Sequence, residues 1–352
     1  MTTVYLIRHA EAEGNLYRRA HGHYNSTITD RGYRQIAALA NRFAAEHIDA
    51  AYSSDLIRTR TTALAVTTPH ALELHTTRAL REVGVGIWED RTWTYLARFD
   101  RQRLLLFNTD AGSWSVEGGE SMEALRERML SALRKIIDAH PGQTVAVFSH
   151  GMALRLLIGT LQGLSIAEID RTPHAENTAV TRLEADGNGI RVVYRDDASH
   201  LSEELTTLHK QVWTRTKGGL EPGIYFLPAA EGAGRFDVLN EDGEHAGRVA
   251  IGSCEDGVAE IEEFRLDEAL QGRGFGIRLV GQAISHARAR GCDTLFVQIP
   301  RGNPSGQRRA LDYGFSAVRA TPDFIVFEKY FGFSEAYRAA KFEEALAASG
   351  KR

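Results

Sequence analysis

The sequence predicts an α/β protein of two domains: an N-terminal, mainly parallel sheet flanked by helices, then an α+β domain with a mixed sheet. Three observations carry this. Apolar runs of strand length alternate with helical patterns from the first residues, the signature of a parallel sheet covered by helices. Near residue 196 the pattern changes to hairpin-like runs around a turn. The length of 352 residues suits two cores better than one. The expected divisions are a first domain over 1–197, a linker helix and loop over 198–221, a second domain over 222–333 and a C-terminal helix over 334–352.

The elements follow in order. "TVYLIRHA" opens with Val4, Tyr5, Leu6 and Ile7, a short apolar run that reads as a buried strand. "STITDRGYRQIAALANRFAAE" has a cap-like Thr29 followed by Tyr33, Ile36, Ala37, Ala40 and Phe43 at helical spacing. "DAAYSSDLIRTRTTALAV" reads as a strand ending at Ser53–Ser54 and a helix starting at Asp55. Arg91–Glu117 is a modest insertion rich in aromatic and basic residues, among them Arg98, Arg101 and Arg103. It is expected to form a helical lid for a substrate with a ring and more than one negative charge. "GESMEALRERMLSALRKIIDAH" puts Met122, Leu125, Met129, Leu133 and Ile136 on one helical stripe, and Pro141-Gly142 ends it. "TVAVFSHG" is a second apolar strand. Past residue 196 come a connecting helix over about 198–216 and a hairpin around Asp242-Gly243. The strand "VAEIEEFRL", the turn "QGRGFG", an amphipathic helix and the strands "TLFVQI" and "FIVFEKYF" follow.

Composition narrows the function classes. A net charge of −4 gives no sign of nucleic-acid binding. No apolar run reaches the roughly 18 residues of a membrane span. The chain enters a strand directly, without the basic region and cleavage site of a secretory signal, so a cytoplasmic protein is expected. Cys254 and Cys292 are the only cysteines, which predicts neither a disulfide framework nor a metal motif.

Polar residues at strand ends carry the chemistry. Arg8-His9 ends the first strand, Arg58 falls in the first turn after Ser53–Ser54, and Ser149-His150-Gly151 ends "TVAVF". Ligands in open α/β sheets sit at such edges. The alternative is that Arg8 simply leaves the core for solvent. If the strands share one parallel sheet, two arginines, two histidines and a helix N-terminus form a phosphate site. No acidic cluster for a metal accompanies them, which suggests covalent catalysis through a histidine. "LIRHAEAEGN", "GHYNSTITDRGYRQ", "SSDLIRTRTTA", "LREVGVGIWED", "GGES" and "VFSHG", in this order over residues 1–195, resemble the histidine phosphatase (phosphoglycerate-mutase-like) superfamily. The resemblance implies that His9 is the nucleophile and that Arg8, Arg58 and His150 hold the phosphoryl oxygens. It also implies that Asn15 lies near the pocket and that Glu82 is the proton donor. Ala10 departs from the usual glycine. A small phosphorylated metabolite is the expected substrate, and a phosphomutase is the alternative. His21, His23, His75 and His140 read as exposed or packed histidines.

The turn Gln271-Gly272-Arg273-Gly274-Phe275-Gly276 follows a strand and opens a helix, so its free N–H groups can cradle a pyrophosphate. A dinucleotide fold would need a preceding βαβ unit, which is not evident. The run resembles instead the coenzyme A motif of the GNAT N-acetyltransferase superfamily, with Asn303 and Gly314-Phe315 in the segment that follows. This implies acetyl-CoA as cofactor and an amine as acceptor. Two departures stand out. Ala310 takes the place of the usual tyrosine acid, leaving Tyr313 as a candidate, and the segment before "RFDVLN" is too short for the usual pair of helices. The phosphatase-like domain, the linker helix or a second subunit would then complete the acceptor wall. Glu260, Glu262 and Glu263 are candidate bases. The alternative is a non-catalytic CoA-binding or assembly module.

Overall fold

The computed structural model describes residues 1–170, 172–208, 211, 220 and 223–350. The first sheet holds β1 (Thr2–Arg8), β2 (Ala50–Ser54), β3 (Leu74–Thr77), β4 (Thr144–Ser149), β5 (Val180–Asp186) and β6 (Gly189–Asp197), in the order β3-β2-β4-β1-β5-β6. The first four are mutually parallel, β5 pairs antiparallel to β1, and β6 pairs antiparallel to β5 at the sheet edge. Arg8 stands opposite Ser149 across β1 and β4, so His9 and His150 leave the same sheet edge side by side.

The helices of this domain are α1 (Glu13–Tyr17), α2 (Asp30–Phe43), α3 (Ile57–Thr62), α4 (Leu64–Thr67), α5 (Trp93–Phe99), α6 (Arg101–Thr109), α7 (Met122–Ala139), α8 (Gly151–Leu161) and α9 (Ile166–Ile169). Thr29 caps α2, its hydroxyl oxygen accepting from Gly32 N at 3.0 Å. The expected stripes of α2 and α7 are the buried ones. Helix α3 starts at Ile57 and not at Asp55, because Leu56 is still extended at the cap position, and the Asp55 carboxylate accepts from Arg81 at 2.6 Å.

The second sheet holds β7 (Ile224–Pro228), β8 (Arg235–Asn240), β9 (His245–Ile251), β10 (Val258–Leu266), β11 (Thr294–Pro300), β12 (Ser316–Ala320) and β13 (Phe324–Tyr330). Its order is β12-β13-β11-β10-β9-β8-β7, and only β10 and β11 run parallel. Helices α10 (Gly276–Arg288) and α11 (Pro304–Asp312) belong to this domain. The turn between β8 and β9 places Gly243 at φ +90°, a conformation that glycine adopts without strain.

Two expectations change. Within 198–208 the chain forms one 3₁₀ turn, Glu203–Leu205, and no α-helix. Of the remainder of the expected connecting helix, only Gln211 lies among the described residues. Cys254 and Cys292 are joined as a disulfide, with Cα atoms 6.0 Å apart. The parallel pairing that starts at Val258 and Thr294 brings the loop before β10 beside the residues before β11, a proximity that spacing along the chain does not show. Among the described residues no helix is long and apolar enough to cross a membrane.

The two domains interlock. Tyr17 of α1 sits in the second core, against Gly281 of α10, where an added Cβ would stand 2.5 Å from it. Buried Glu13 accepts both forks of Arg288 at 2.8 and 3.0 Å. The last helix, α12 (Glu335–Ser349), returns to the first domain and lies on α2, with Phe342 in the core beside Tyr33 and Phe43. Phe342 is 1% exposed, so Phe342→Ala is expected to remove about 3–5 kcal/mol of stability. Chemical denaturation of the full chain monitored by circular dichroism measures it, and a loss below ~1 kcal/mol would mean that α12 is only loosely docked.

Candidate active site

The cavity at the sheet edge is built from the ends of β1, β2 and β4. His9 is 6% exposed. Its N–H donates to the Ser149 carbonyl at 3.0 Å, and Asn177 Nδ2 donates to the His9 carbonyl at 2.8 Å. Nδ1 of His9 lies 2.7 Å from the Ala10 carbonyl, which can only accept. The proton therefore sits on Nδ1, and Nε2 keeps its lone pair. The His150 ring lies 5.3 Å from the His9 ring. Arg58 Nε donates to His150 Nδ1 at 3.1 Å, which leaves the proton of a neutral His150 on Nε2. His150 Nε2 and Arg8 Nε are buried donors with no protein partner, an arrangement that suits an anion.

The remaining groups are fixed by the loops. Arg58, in the first turn of α3, donates to the carbonyls of Tyr24 at 3.0 Å, Gly22 at 2.7 Å and His21 at 3.3 Å. Arg8 Nη1 bonds the Ala175 carbonyl. Glu82 accepts from Val83 N at 3.0 Å and from Met152 N and Ala153 N of α8 at 3.0 and 2.8 Å, which pins the carboxylate at a helix N-terminus. Asn15 Oδ1 accepts from Ala12 N at 3.1 Å. Arg8, His9, Asn15, Arg58 and Glu82 all line a cavity of about 190 Å³. His150 does not border it but is fully buried against His9. Ala10 is buried, and its N–H donates to Thr62 Oγ1 at 2.9 Å.

The lid departs from expectation. Trp93, Ala97, Leu104 and Phe107 face the cavity, whereas Arg98, Arg101 and Arg103 do not. Arg103 pairs with Asp100 at 3.2 Å. Arg98 reaches across to Gly243 of the second domain, its Nη2 3.2 Å from where a Cβ there would stand. Helix α5 turns its far side to the second domain, where Tyr95 and Phe99 meet the Tyr225 ring at 6.4 and 5.5 Å. The histidines divide too. His21 is no bystander: it borders the cavity and holds Asp90 through Nε2 at 3.0 Å. His174 also borders it. Nothing in the spacing of "AHGHYN" separates His21 from His23, which instead bonds the Glu82 carbonyl at 3.0 Å. His140 packs between Tyr52 and Gln143, and His75 stacks on Tyr52.

In the second domain the sheet opens. β10 and β11 pair only from Val258/Thr294 to Ile261/Val297, and a cavity of about 530 Å³ lies where they separate. Gln271, Gly272, Gly274, Gly276 and Asn303 border it. Gly272 and Gly274 have φ of +72° and +79°, and nothing stands within 4 Å of a Cβ placed on either. The turn thus presents bare backbone to open space, which fits a pyrophosphate. Arg273 and Phe275 do not border the cavity; Phe275 is turned into the core with the Arg273 guanidinium 5.1 Å over its ring. Asn303 caps α11, accepting from Gly306 N at 2.9 Å. Ala310 and Tyr313 border the cavity. The Tyr313 hydroxyl lies 2.1 Å from where a Cβ on Gly276 would stand, so a side chain there would have to displace Tyr313. Of the three acidic candidates, Glu262 borders this cavity, Glu260 accepts from Gln298 at 2.8 Å and Glu263 lies 3.7 Å from Arg265.

Residues 4–198 match the histidine phosphatase superfamily, branch 1. The chain belongs to that superfamily. Residues 201–315 match the acetyltransferase (GNAT) family. A similar curated protein is a probable phosphoglycerate mutase GpmB of Cronobacter sakazakii, 34% identical over 208 residues, which are 57% of this chain and 95% of that one. Among solved structures, Bacillus stearothermophilus YhfR is 30% identical with a TM-score of 0.55, over 57% of this chain and 99% of its own. The mycobacterial glucosyl-3-phosphoglycerate phosphatase Rv2419c, at 21% identity and a TM-score of 0.51 over 56% of this chain and 99% of its own, shares the fold.

Electrostatics in the histidine phosphatase site favour neutral imidazoles. Burial, then the Arg58 and Arg8 charges, push His9 well below its ordinary 6.5. Burial and Arg58 do the same to His150. Burial lowers Arg58 to about 10, which leaves it charged at neutral pH. A lowered pKa keeps the lone pair of His9 available in acid. Once corrected for the second ionisation of the substrate, single-turnover phosphorylation by p-nitrophenyl phosphate, whose leaving group needs no proton, is therefore expected to stay flat from pH 7.5 to about pH 6. Rapid-quench measurement across that range checks it, and a rate that halves near pH 6.5 would contradict the environment described.

Proposed function

We propose that the first domain hydrolyses a small phosphomonoester through a phosphohistidine on His9, with no metal in the mechanism. The observation that carries this is the His9 ring, its Nδ1 proton tied to the Ala10 carbonyl beside the unpartnered donors of Arg8 and His150. Nε2 of His9 attacks phosphorus, the bond to the leaving oxygen breaks, and Glu82 supplies that oxygen with a proton. Arg8, Arg58 and His150 stabilise the charge that spreads over the phosphoryl oxygens. In the second half Glu82 takes a proton from water, the water oxygen attacks phosphorus, and the P–N bond breaks to release phosphate and neutral His9.

The mutase reading has support from the relatives named as probable phosphoglycerate mutases. A mutase must also hold a second anionic group while its bisphosphate turns around. The cavity favours a hydrolase, because the lid faces it with Trp93, Leu104 and Phe107 while its arginines are turned away. Of the other cations on the wall, Arg19 is committed to Asp90, and Arg18 bonds Gln211 at 3.0 Å.

The second domain is assigned acetyl-CoA and an amine acceptor. Acetyl-CoA supplies the activated thioester. The turn Gln271–Gly276 would hold its pyrophosphate and the edge of β10 that β11 leaves past Ile261 its arm; as the amine nitrogen bonds the acetyl carbon and the C–S bond breaks, Glu262 would accept the proton of the amine and the Tyr313 hydroxyl would supply one to the sulfur. Burial keeps that hydroxyl protonated, above its ordinary 10.

His9→Ala is expected to abolish turnover and to remove an alkali-stable, acid-labile label that wild type acquires from ³²P-substrate. Label retained on the variant would end the assignment, and activity lost in chelator but restored by Mg²⁺ would end its metal-free form. Glu82→Gln is expected to slow alkyl phosphates by about 10²–10⁴-fold and p-nitrophenyl phosphate far less, since nitrophenolate leaves without a proton. Equal losses on both would remove Glu82 from the proton-donor role.

For the second domain, Gly274→Asp puts bulk and a negative charge into the pyrophosphate cradle. Calorimetric binding of acetyl-CoA is expected to vanish while phosphatase turnover stays within twofold. Wild type that binds no acetyl-CoA at micromolar concentration would leave only the architecture. Wild type that binds acetyl-CoA but acetylates nothing in an amine panel would be a binding module; if it does acetylate, a large loss in Tyr313→Phe makes Tyr313 the acid and no change leaves water in that role.

A further inference from the structure

Helix α10 points a row of polar side chains at the wall of the phosphatase cavity. Arg19 and His21, both on that wall, meet at Asp90. Arg19 Nε donates to Asp90 Oδ1 at 2.6 Å and His21 Nε2 lies 3.0 Å from the same oxygen. The other two groups on the Arg19 guanidinium are met from the second domain: Nη1 donates to Gln282 Oε1 and Nη2 to Ser285 Oγ, each at 3.1 Å. The Ser285 hydroxyl in turn donates to Asp90 Oδ2. Ser285 therefore closes a ring with Arg19 and Asp90, and Gln282, three residues earlier on the same helix face, braces it. Against burial, the bond from His21 and the charge of Arg19 hold the Asp90 carboxyl well below the usual carboxylate range, so it stays an acceptor in this ring.

The ring is wired to the phosphate site. The His21 carbonyl accepts from Arg58 Nη2, the next carbonyl, Gly22, accepts from the same nitrogen at 2.7 Å, and Arg58 Nε holds His150 at 3.1 Å. From Ser285 to His150 every link is a hydrogen bond between groups that are buried or nearly so. Displacing the His21–Gly22 segment must move the carbonyls that aim Arg58, and with them His150. Small errors of aim in such donors are expensive, because stabilisation of a phosphoryl group depends on fixed geometry.

The geometry points to Ser285 and Gln282 of the second domain as positioning residues of the phosphatase site, acting through Asp90 and His21 on Arg58. This rests on the phosphatase reading above. It means that the acetyltransferase-family domain supplies part of the framework of the first active site and is not merely tethered to it.

The test uses the full chain. Ser285→Ala removes the hydroxyl and leaves Asp90 Oδ2 and Arg19 Nη2 short of a partner. Gln282→Met keeps volume and removes only the acceptor of Arg19 Nη1. Ser285→Thr keeps the hydroxyl. Orthovanadate binding by calorimetry reads the site without turnover, and kcat and KM are measured with p-nitrophenyl phosphate. The expected result is a roughly five- to tenfold weaker vanadate affinity in Ser285→Ala, with a fall in kcat/KM of similar size and recovery in Ser285→Thr, less than the loss of a hydrogen bond acting directly on a charged group. Gln282→Met is expected to shift both in the same direction by a smaller factor, and it carries the test if Ser285→Ala does not fold. A lower melting temperature with unchanged affinity and kcat overturns the proposal and leaves the phosphatase reading standing. Wild type that binds no oxyanion and turns over no monoester overturns the phosphatase reading, and the proposal with it.

Discussion

The parallel pairing of β1 with β4 in one register is the constraint on which the first site depends. Arg8 opposite Ser149 means that the next residues, His9 and His150, leave neighbouring strands at the same level. Neighbouring strands lie about 4.8 Å apart, so two imidazoles meet without any side chain having to reach. The observed ring separation of 5.3 Å follows from that spacing. A slip of one residue would turn the side chains of β4 to the opposite faces and remove Ser149 N–H and C=O from their partners. Everything else in the cavity is arranged around this edge: Arg58 arrives in a helix first turn, and Glu82 is held by the amides that open α8.

The second domain is bound to this edge by chemistry that would be costly to separate. Glu13 and Arg288 form a buried, two-pronged ion pair, and removing either partner would leave a charge in a place that water does not reach well. Tyr17, two residues from Asn15 on the same helix α1, is packed as a member of the second core. The lid leans on Tyr225 from the other side. With α12 returning to α2, the chain crosses from the first domain to the second and back, and Arg19 in the wall of the first cavity is met from behind by Gln282 and Ser285 of α10.

The second cavity owes its existence to an incomplete sheet. β10 and β11 part after Ile261 and Val297, which leaves strand backbone without a partner next to a turn of unblocked glycines. Such backbone is a strong hydrogen-bonding surface awaiting an extended ligand. The hairpin β7–β8 has no helices between its strands, and the cavity is lined entirely by residues between Ile261 and Phe315.

The sequence by itself determined the two fold classes, most of the strands and the buried helical stripes, because apolar periodicity is local and strong. It also pointed to Arg8, His9, Asn15, Arg58, Glu82 and the glycines of the 271–276 turn, whose order and spacing are shared with whole families. It did not reveal His21, Asp90 and Arg19 as one cluster, since 69 residues separate His21 from Asp90 and another 195 lead on to Ser285. Nor did it show that the lid arginines face away, that Phe275 turns inward, or that Cys254 and Cys292 are neighbours. Those are matters of which faces meet when elements distant along the chain pack, within a domain or across an interface, and such a partner has no periodicity along the chain to betray it. Tertiary structure alone decided that helix α10, placed in the sequence by its glycine turn, would also hold Arg19 in the wall of the first domain's cavity.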